Sequence, residues 1–194
     1  MKILESANSI AVDYVNDSLY EHLANFVEQI ERDCEIADTL PESDILKLLY
    51  LESRLLDEKH FEQWMALFSD ELVYWVPMIF GTQNPKFESS IYLDDRRRLG
   101  DRVGAILTGA LHAQTPPSRT RRMLTNIEQH NISDDEIRIR ANLVIWEYRK
   151  HETRSYPGTQ EYEIVRESGK LKIRTKVVRL LNSDSPQGNY SFIL

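Results

Sequence analysis

EIRIRANLVIWEYRK, residues 136–150, is the stretch on which the fold turns. Ile137, Ile139, Ala141, Leu143 and Ile145 alternate with Arg138, Arg140, Asn142, Val144 and Trp146. Successive side chains of a strand point to opposite faces, so this spacing predicts a long strand with one apolar side. Working outward, 160–167 and 171–181 are strand-like and flank Ser168, Gly169 and Lys170, a short turn of the kind that closes a hairpin. Residues 121–130 form a further strand candidate. Upstream, Leu72, Val73, Tyr74, Trp75 and Val76 make a β-prone run that Pro77 ends, and 91–93 is a short strand after a loop at 81–90.

The remainder reads as helix. Leu19, Leu23, Phe26, Val27 and Ile30 recur at helical spacing. After Pro41, Ser43 and Asp44 offer N-cap chemistry to a helix with Ile45, Leu48, Leu49, Leu55 and Leu56 on one stripe. A short helix holds Phe61, Trp64, Met65 and Phe68. The charged stretch 94–102 continues as helix to about residue 113, where Thr115, Pro116, Pro117 and Ser118 break it. Helices first and long antiparallel strands afterwards give an α+β class, with helices on one face of a curved sheet.

Composition narrows the function classes. The 194 residues suit one domain, and a net charge of -7 argues against a general nucleic-acid surface. The first sixty residues hold fourteen acidic and five basic side chains, so the negative excess lies there. It reads as a solvated helical face, or as a docking surface for a basic partner. One cysteine, Cys34, excludes a disulfide framework, a zinc finger or a cysteine-ligated cluster within this chain, and Asp33 and Glu35 beside it oppose thiolate formation. The N-terminus lacks signal-peptide character and no apolar run reaches membrane-spanning length, which points to a cytoplasmic protein without a membrane partner.

The catalytic inventory is sparse. His22, His60, His112, His130 and His151 form no metal-binding pair at close spacing. Asp94 and Asp95 invite acid/base chemistry, but Arg96, Arg97 and Arg98 follow directly, and an ion-paired helix start is the simpler reading. Arg119, Arg121 and Arg122 after the two prolines fit a bound anion or, preferably in so acidic a chain, carboxylates of another subunit.

Four ordered segments resemble the small (beta) subunits of bacterial aromatic-ring-hydroxylating dioxygenases. They are 51–78, with Glu52, Leu55, Leu56, Asp57, Phe61, Trp64, Leu67, Tyr74 and Pro77; YLDDRRRLGDRVGAILTG at 92–109; PPSRT followed by RRMLTNIE at 116–128; and NYSFIL at 189–194. The resemblance spans about 43–194 and implies a cone-shaped roll like nuclear transport factor, a strongly curved mixed sheet wrapped by helices; the acidic helical extension at 1–42 lies outside the resemblance. PPSRT leans towards the biphenyl and phenylpropionate type of system over the benzoate type.

The family further implies a noncatalytic chain that assembles with an alpha subunit, commonly three of each. The alpha subunit holds the Rieske 2Fe-2S cluster and a mononuclear non-haem iron, and a reductase, with or without a ferredoxin, feeds it electrons. Self-association between beta subunits follows from the same likeness. Asp94, Asp95, Arg98, Arg102, Arg119 and Arg121 are then the interface or structural candidates. The competing reading is a stand-alone isomerase, dehydratase or small-molecule binder, with Tyr74, His112 and His130 as cavity candidates by residue type.

Overall fold

The computed structural model describes residues 15–32, 40–79, 84–110, 114–185 and 190–194. Four helices, α1 (Asp17–Arg32), α2 (Ser43–Asp57), α3 (Phe61–Met65) and α4 (Arg96–Leu107), accompany six strands. The strands are β1 (Phe68–Pro77), β2 (Ser90–Asp95), β3 (Arg119–Asn131), β4 (Glu136–Arg149), β5 (Glu152–Glu167) and β6 (Lys170–Leu180). They form one sheet in the order β2-β1-β6-β5-β4-β3, antiparallel except for the parallel pair β1 and β6. The expected α+β roll with a curved mixed sheet is therefore the fold. No helix among the described residues is long and apolar enough to cross a membrane.

The alternation read in β4 is obeyed: Ile137, Ile139, Ala141, Leu143 and Ile145 are buried. They share the inner core with Tyr74, Tyr162, Ile173 and Leu180 of the sheet, with Ile45, Leu49, Trp64 and Leu99 of the helices, and with Phe192, Ile193 and Leu194. The tail thus packs inside the roll. On the other face α1 lays Leu19, Leu23, Phe26, Val27 and Ile30 over Val73, Trp75 and Val177. The helices consequently cover both faces of the sheet, where the sequence pattern gave one. Asn16 starts α1, its side-chain oxygen accepting from the Leu19 amide at 3.0 Å.

Several boundaries differ from the sequence reading for local reasons. Ser43 and Asp44 do not cap α2; Glu42 occupies the cap position, and Asp44 pairs with Lys47 on the surface at 2.8 Å. Asp94 and Asp95 belong to β2, and α4 begins at Arg96 with Asp95 as its cap, accepting from the Arg98 amide at 2.7 Å. β5 begins eight residues earlier than the hydrophobic pattern indicated, because Lys150 and His151 close the β4–β5 hairpin with φ of 50° and 67°. Positive φ at both central residues matches the twist of paired strands, but Lys-His lacks the Asn-Gly signature of such turns. Within β5, only glycine fits at 158, since an added Cβ would overlap the main-chain oxygen of Arg179.

The outer face under α1 is held by charge as well as by apolar contact. Glu163 accepts from Arg174 Nη2 at 2.5 Å and from Thr175 Oγ1 at 2.8 Å, and His22 Nε2 of α1 lies 3.1 Å from it. Burial pushes the Glu163 carboxyl up, but the Arg174 and His22 bonds overcome this and hold it well below its ordinary value of 4.5. A depressed folded pKa supplies stability that is complete above the unfolded value and lost as pH falls through the folded one. Glu163→Gln should therefore cost about 2 kcal/mol at pH 7, with the gap to wild type closing as urea midpoints are measured from pH 5 downward.

Candidate functional site

The centre of the roll is filled by a buried ionic cluster. Glu52 of α2 and Lys176 of β6 are fully buried, with Lys176 Nζ 2.6 Å from Glu52 Oε1. Trp64 Nε1 donates to the same oxygen at 3.0 Å, and the Tyr162 hydroxyl donates to Glu52 Oε2 at 3.0 Å. The tail closes the cluster, since the Tyr74 hydroxyl donates to the Leu194 main-chain oxygen at 2.8 Å and Lys176 Nζ reaches it at 3.4 Å.

The electrostatics follow from this enclosure. Burial lowers the Lys176 ammonium while Glu52 pulls it back up. Burial raises the Glu52 carboxyl, yet the Lys176 charge and the bonds from Lys176 and Trp64 bring it below its ordinary value. Tyr74 and Tyr162 are pushed well above 10.0, mainly by burial, so neither phenol ionises at neutral pH. The arrangement locks α2, α3, β1, β5, β6 and the tail together and leaves the Tyr74 hydroxyl committed to a carbonyl. Tyr74 accordingly faces no open cavity.

A second ion pair ties the helices to β3. Arg122, with its side chain 2% exposed, lies 2.5 Å from Asp57 of α2, and its other guanidinium nitrogen donates to the Ile193 oxygen. Asp57 also accepts from the Thr120 hydroxyl at 2.8 Å and the Arg122 amide at 2.9 Å. A buried carboxylate on a third network, Glu147, accepts from Ser118 at 2.5 Å and Tyr156 at 2.9 Å.

The six arginine and aspartate candidates separate into two groups. Asp94 is 1% exposed and holds Arg102 by two bonds of 2.8 and 3.2 Å, with Arg98 at 3.7 Å. Arg102 stacks on Tyr92, 3.9 Å from the ring centre. With Asp95 capping α4, these four residues bind β2 to α4, beside a surface groove of about 600 Å³. Arg119 and Arg121 are exposed on the edge strand β3, Arg119 lying 4.5 Å over the Tyr148 ring. Of the other cavity candidates, His130 is partly exposed on β3, with its neighbour Gln129 directed to Glu42 of α2 and so on the opposite face. His112 lies outside the described residues, as does Cys34.

Sequence reasoning missed Glu52 and Lys176 as a pair, although each carries a signal. Glu52 occupies the apolar stripe of α2 between Leu48 and Leu55, and Lys176 shares an inner face with Val178 and Leu180. A charge at a core position demands a partner. Replacing Lys176 alone by Met should cost about 3–5 kcal/mol, because an unpaired carboxylate is left buried. Adding Glu52→Gln should recover much of that loss in urea unfolding, since the amide oxygen still accepts from Trp64 while its NH2 can donate to the Tyr162 hydroxyl oxygen.

The residues present do not fit an iron centre of the Rieske type, which takes two cysteines and two histidines, because the chain has one cysteine. Among the described residues, no three His, Cys, Asp or Glu side chains gather as a metal site.

Comparison with known proteins gives the family. The chain is 31% identical over 163 residues to the small oxygenase component of the p-cumate 2,3-dioxygenase system of Pseudomonas putida, covering 82% of this chain and 91% of the relative. It is 32% identical over 152 residues to the beta subunit of benzoate 1,2-dioxygenase of Acinetobacter baylyi, covering 76% and 90%. The crystal structure of the benzoate 1,2-dioxygenase beta subunit of Burkholderia mallei superposes with a TM-score of 0.65 at 30% identity, over 80% of this chain and 99% of that one. The chain is also 29% identical over 135 residues to the beta subunit of a 3-phenylpropionate/cinnamic acid dioxygenase of Photorhabdus laumondii, so the relatives include both the benzoate type and the phenylpropionate type towards which PPSRT leans. The family model described as ring hydroxylating beta subunit matches residues 51–186, and the chain belongs to that family, the beta subunits of aromatic-ring-hydroxylating dioxygenases.

Proposed function

We propose that the chain is the noncatalytic subunit of its dioxygenase and that it works by supporting the alpha subunit. The observation that carries this reading is the filled interior: Glu52, Lys176, Tyr74, Tyr162 and the tail occupy the space a stand-alone isomerase or dehydratase would give its substrate. The competing reading loses its cavity at Tyr74. The Rieske cluster, the mononuclear iron and the cis-dihydroxylation of an aromatic ring then belong to the alpha subunit. A reductase, directly or through a ferredoxin, supplies that subunit with electrons in the cytoplasm. This chain holds and orders its partner.

The outer face of β3 and β4 supports an assembly role. Met123, Trp146 and Tyr148 are 52%, 39% and 37% exposed beside Arg119 and Arg121. Methionine, aromatic residues and arginine are the types enriched in protein interfaces. We assign Arg119 and Arg121 to a subunit contact, with Asp94, Asp95, Arg98 and Arg102 shaping the β2–α4 surface that adjoins it in the assembly. Three alpha and three beta subunits, with beta subunits touching one another, is the arrangement we propose.

Co-expression with the alpha-subunit gene tests this directly. Native mass spectrometry should find a mixed complex with equal numbers of the two chains, and Arg119→Ala with Arg121→Ala should weaken it without changing the fold. Recovery of this chain only as a particle lacking the partner would contradict the proposal. Unchanged assembly of the double variant would remove the two arginines from the contact.

A further inference from the structure

Besides the filled centre, the roll has a small pocket near its rim, and its chemistry is distinct from that of the ion pairs around it. The pocket has a volume of about 230 Å³, with apolar walls from Leu56, Phe61, Ile106, Phe192 and Ile193 and a polar side formed by Gln114, Ser118 and Thr120. It lies between the C-terminal end of α2, α3, the last turn of α4 and the tail. Sites for drug-sized ligands run from roughly 300 to 1,000 Å³, so this one takes a molecule of about one ring.

Two cations line it, and only one has its charge matched. Arg122 is paired with Asp57 at 2.5 Å, although its Nε has no hydrogen-bond partner among the described residues. Lys59 lines the same pocket and has no acidic or side-chain hydrogen-bonding partner among the described residues. Burial lowers its ammonium, while the residue as a whole stays open to solvent, which places it on the rim. Lys59 also sits at φ 63°, in the left-handed region where glycine is the ordinary choice after a helix. The backbone geometry thus presents a lysine where the helix end alone would favour glycine.

We infer that this rim pocket binds a small apolar monocarboxylate, its ring or alkyl body against Phe61, Ile106 and Phe192 and its carboxylate on Lys59. The single unmatched charge selects a monoanion. The apolar walls disfavour a phosphate. Such a site is separate from the chemistry proposed for the alpha subunit and lets a ligand act on the tail, since Phe192 and Ile193 form part of the wall.

The test is titration of the full-length chain, without its partner, with benzoate and with benzamide, its neutral analogue. Calorimetry or NMR should show saturable benzoate binding at millimolar or lower concentration, and much weaker binding of benzamide. Lys59→Met should reduce benzoate affinity by at least about tenfold. Ile106→Trp should abolish it by filling the space, with circular dichroism confirming the fold of both variants. Absence of saturable binding in the wild type, equal binding of the two probes, or benzoate affinity indifferent to Lys59→Met would overturn the inference. Failure here leaves native assembly with the alpha subunit untouched, so the two readings are tested apart.

Discussion

The roll is organised around one constraint: a lysine and a glutamate have been taken wholly out of water and must satisfy each other. Glu52 meets Lys176 at 2.6 Å, and its remaining lone pairs are taken by Trp64 and Tyr162. Desolvating two charges costs several kcal/mol per ion, so such a pair contributes little net stability compared with a well-packed apolar core. It is more demanding of geometry. The pair forms only when α2 lies across β5 and β6 in one register, with Trp64 of α3 and the Leu194 oxygen in place. The cluster therefore specifies how helices and sheet meet, while Leu, Ile and Tyr side chains around it supply the burial.

The same cluster supports the noncatalytic role we propose. A cone becomes an enzyme by keeping its centre open to a substrate and placing a titrating group there. In this chain the centre is closed by the tail, the phenols are held neutral, and the Tyr74 hydroxyl has a permanent acceptor. What is left accessible lies outside the centre: the aromatic and arginine face of β3 and β4, the Asp94–Arg102 surface and the rim pocket. On these surfaces rest the proposed assembly role and the proposed ligand site. The α1 helix adds to this by sealing the opposite face, with Trp75 under it, so that the sheet is covered on both sides along β1 and β6.

Local alternation made β4 and β6 legible in the sequence, and a Ser-Gly turn marked their shared hairpin partner β5 at its C-terminal end. The N-terminal half of β5 was hidden because Lys150 and His151 close its turn without the usual residues, and Pro157 interrupts its pattern. Helix α1 was visible as a periodic stripe, but nothing local says which face of the sheet a stripe will cover. Asp94 and Asp95 read as the start of a helix because Arg98 follows at helical spacing, whereas Asp94 pairs with Arg98 from the end of β2 and Asp95 accepts from its main-chain amide. The parallel pairing of β1 with β6, the curvature, and the union of Glu52 with Lys176 across 124 positions are long-range facts. Only the resemblance to the beta-subunit family supplied the roll.

The central claim is that chemistry resides in the partner and this chain orders it. Metal content and turnover measured side by side, on the purified chain alone and on the complex with its alpha subunit, test it most directly. The account predicts no stoichiometric iron and no aromatic hydroxylation with the chain alone, and iron-dependent formation of a cis-dihydrodiol by the complex supplied with electrons. Stoichiometric iron in the isolated chain, or turnover of an aromatic substrate without the partner, would contradict it.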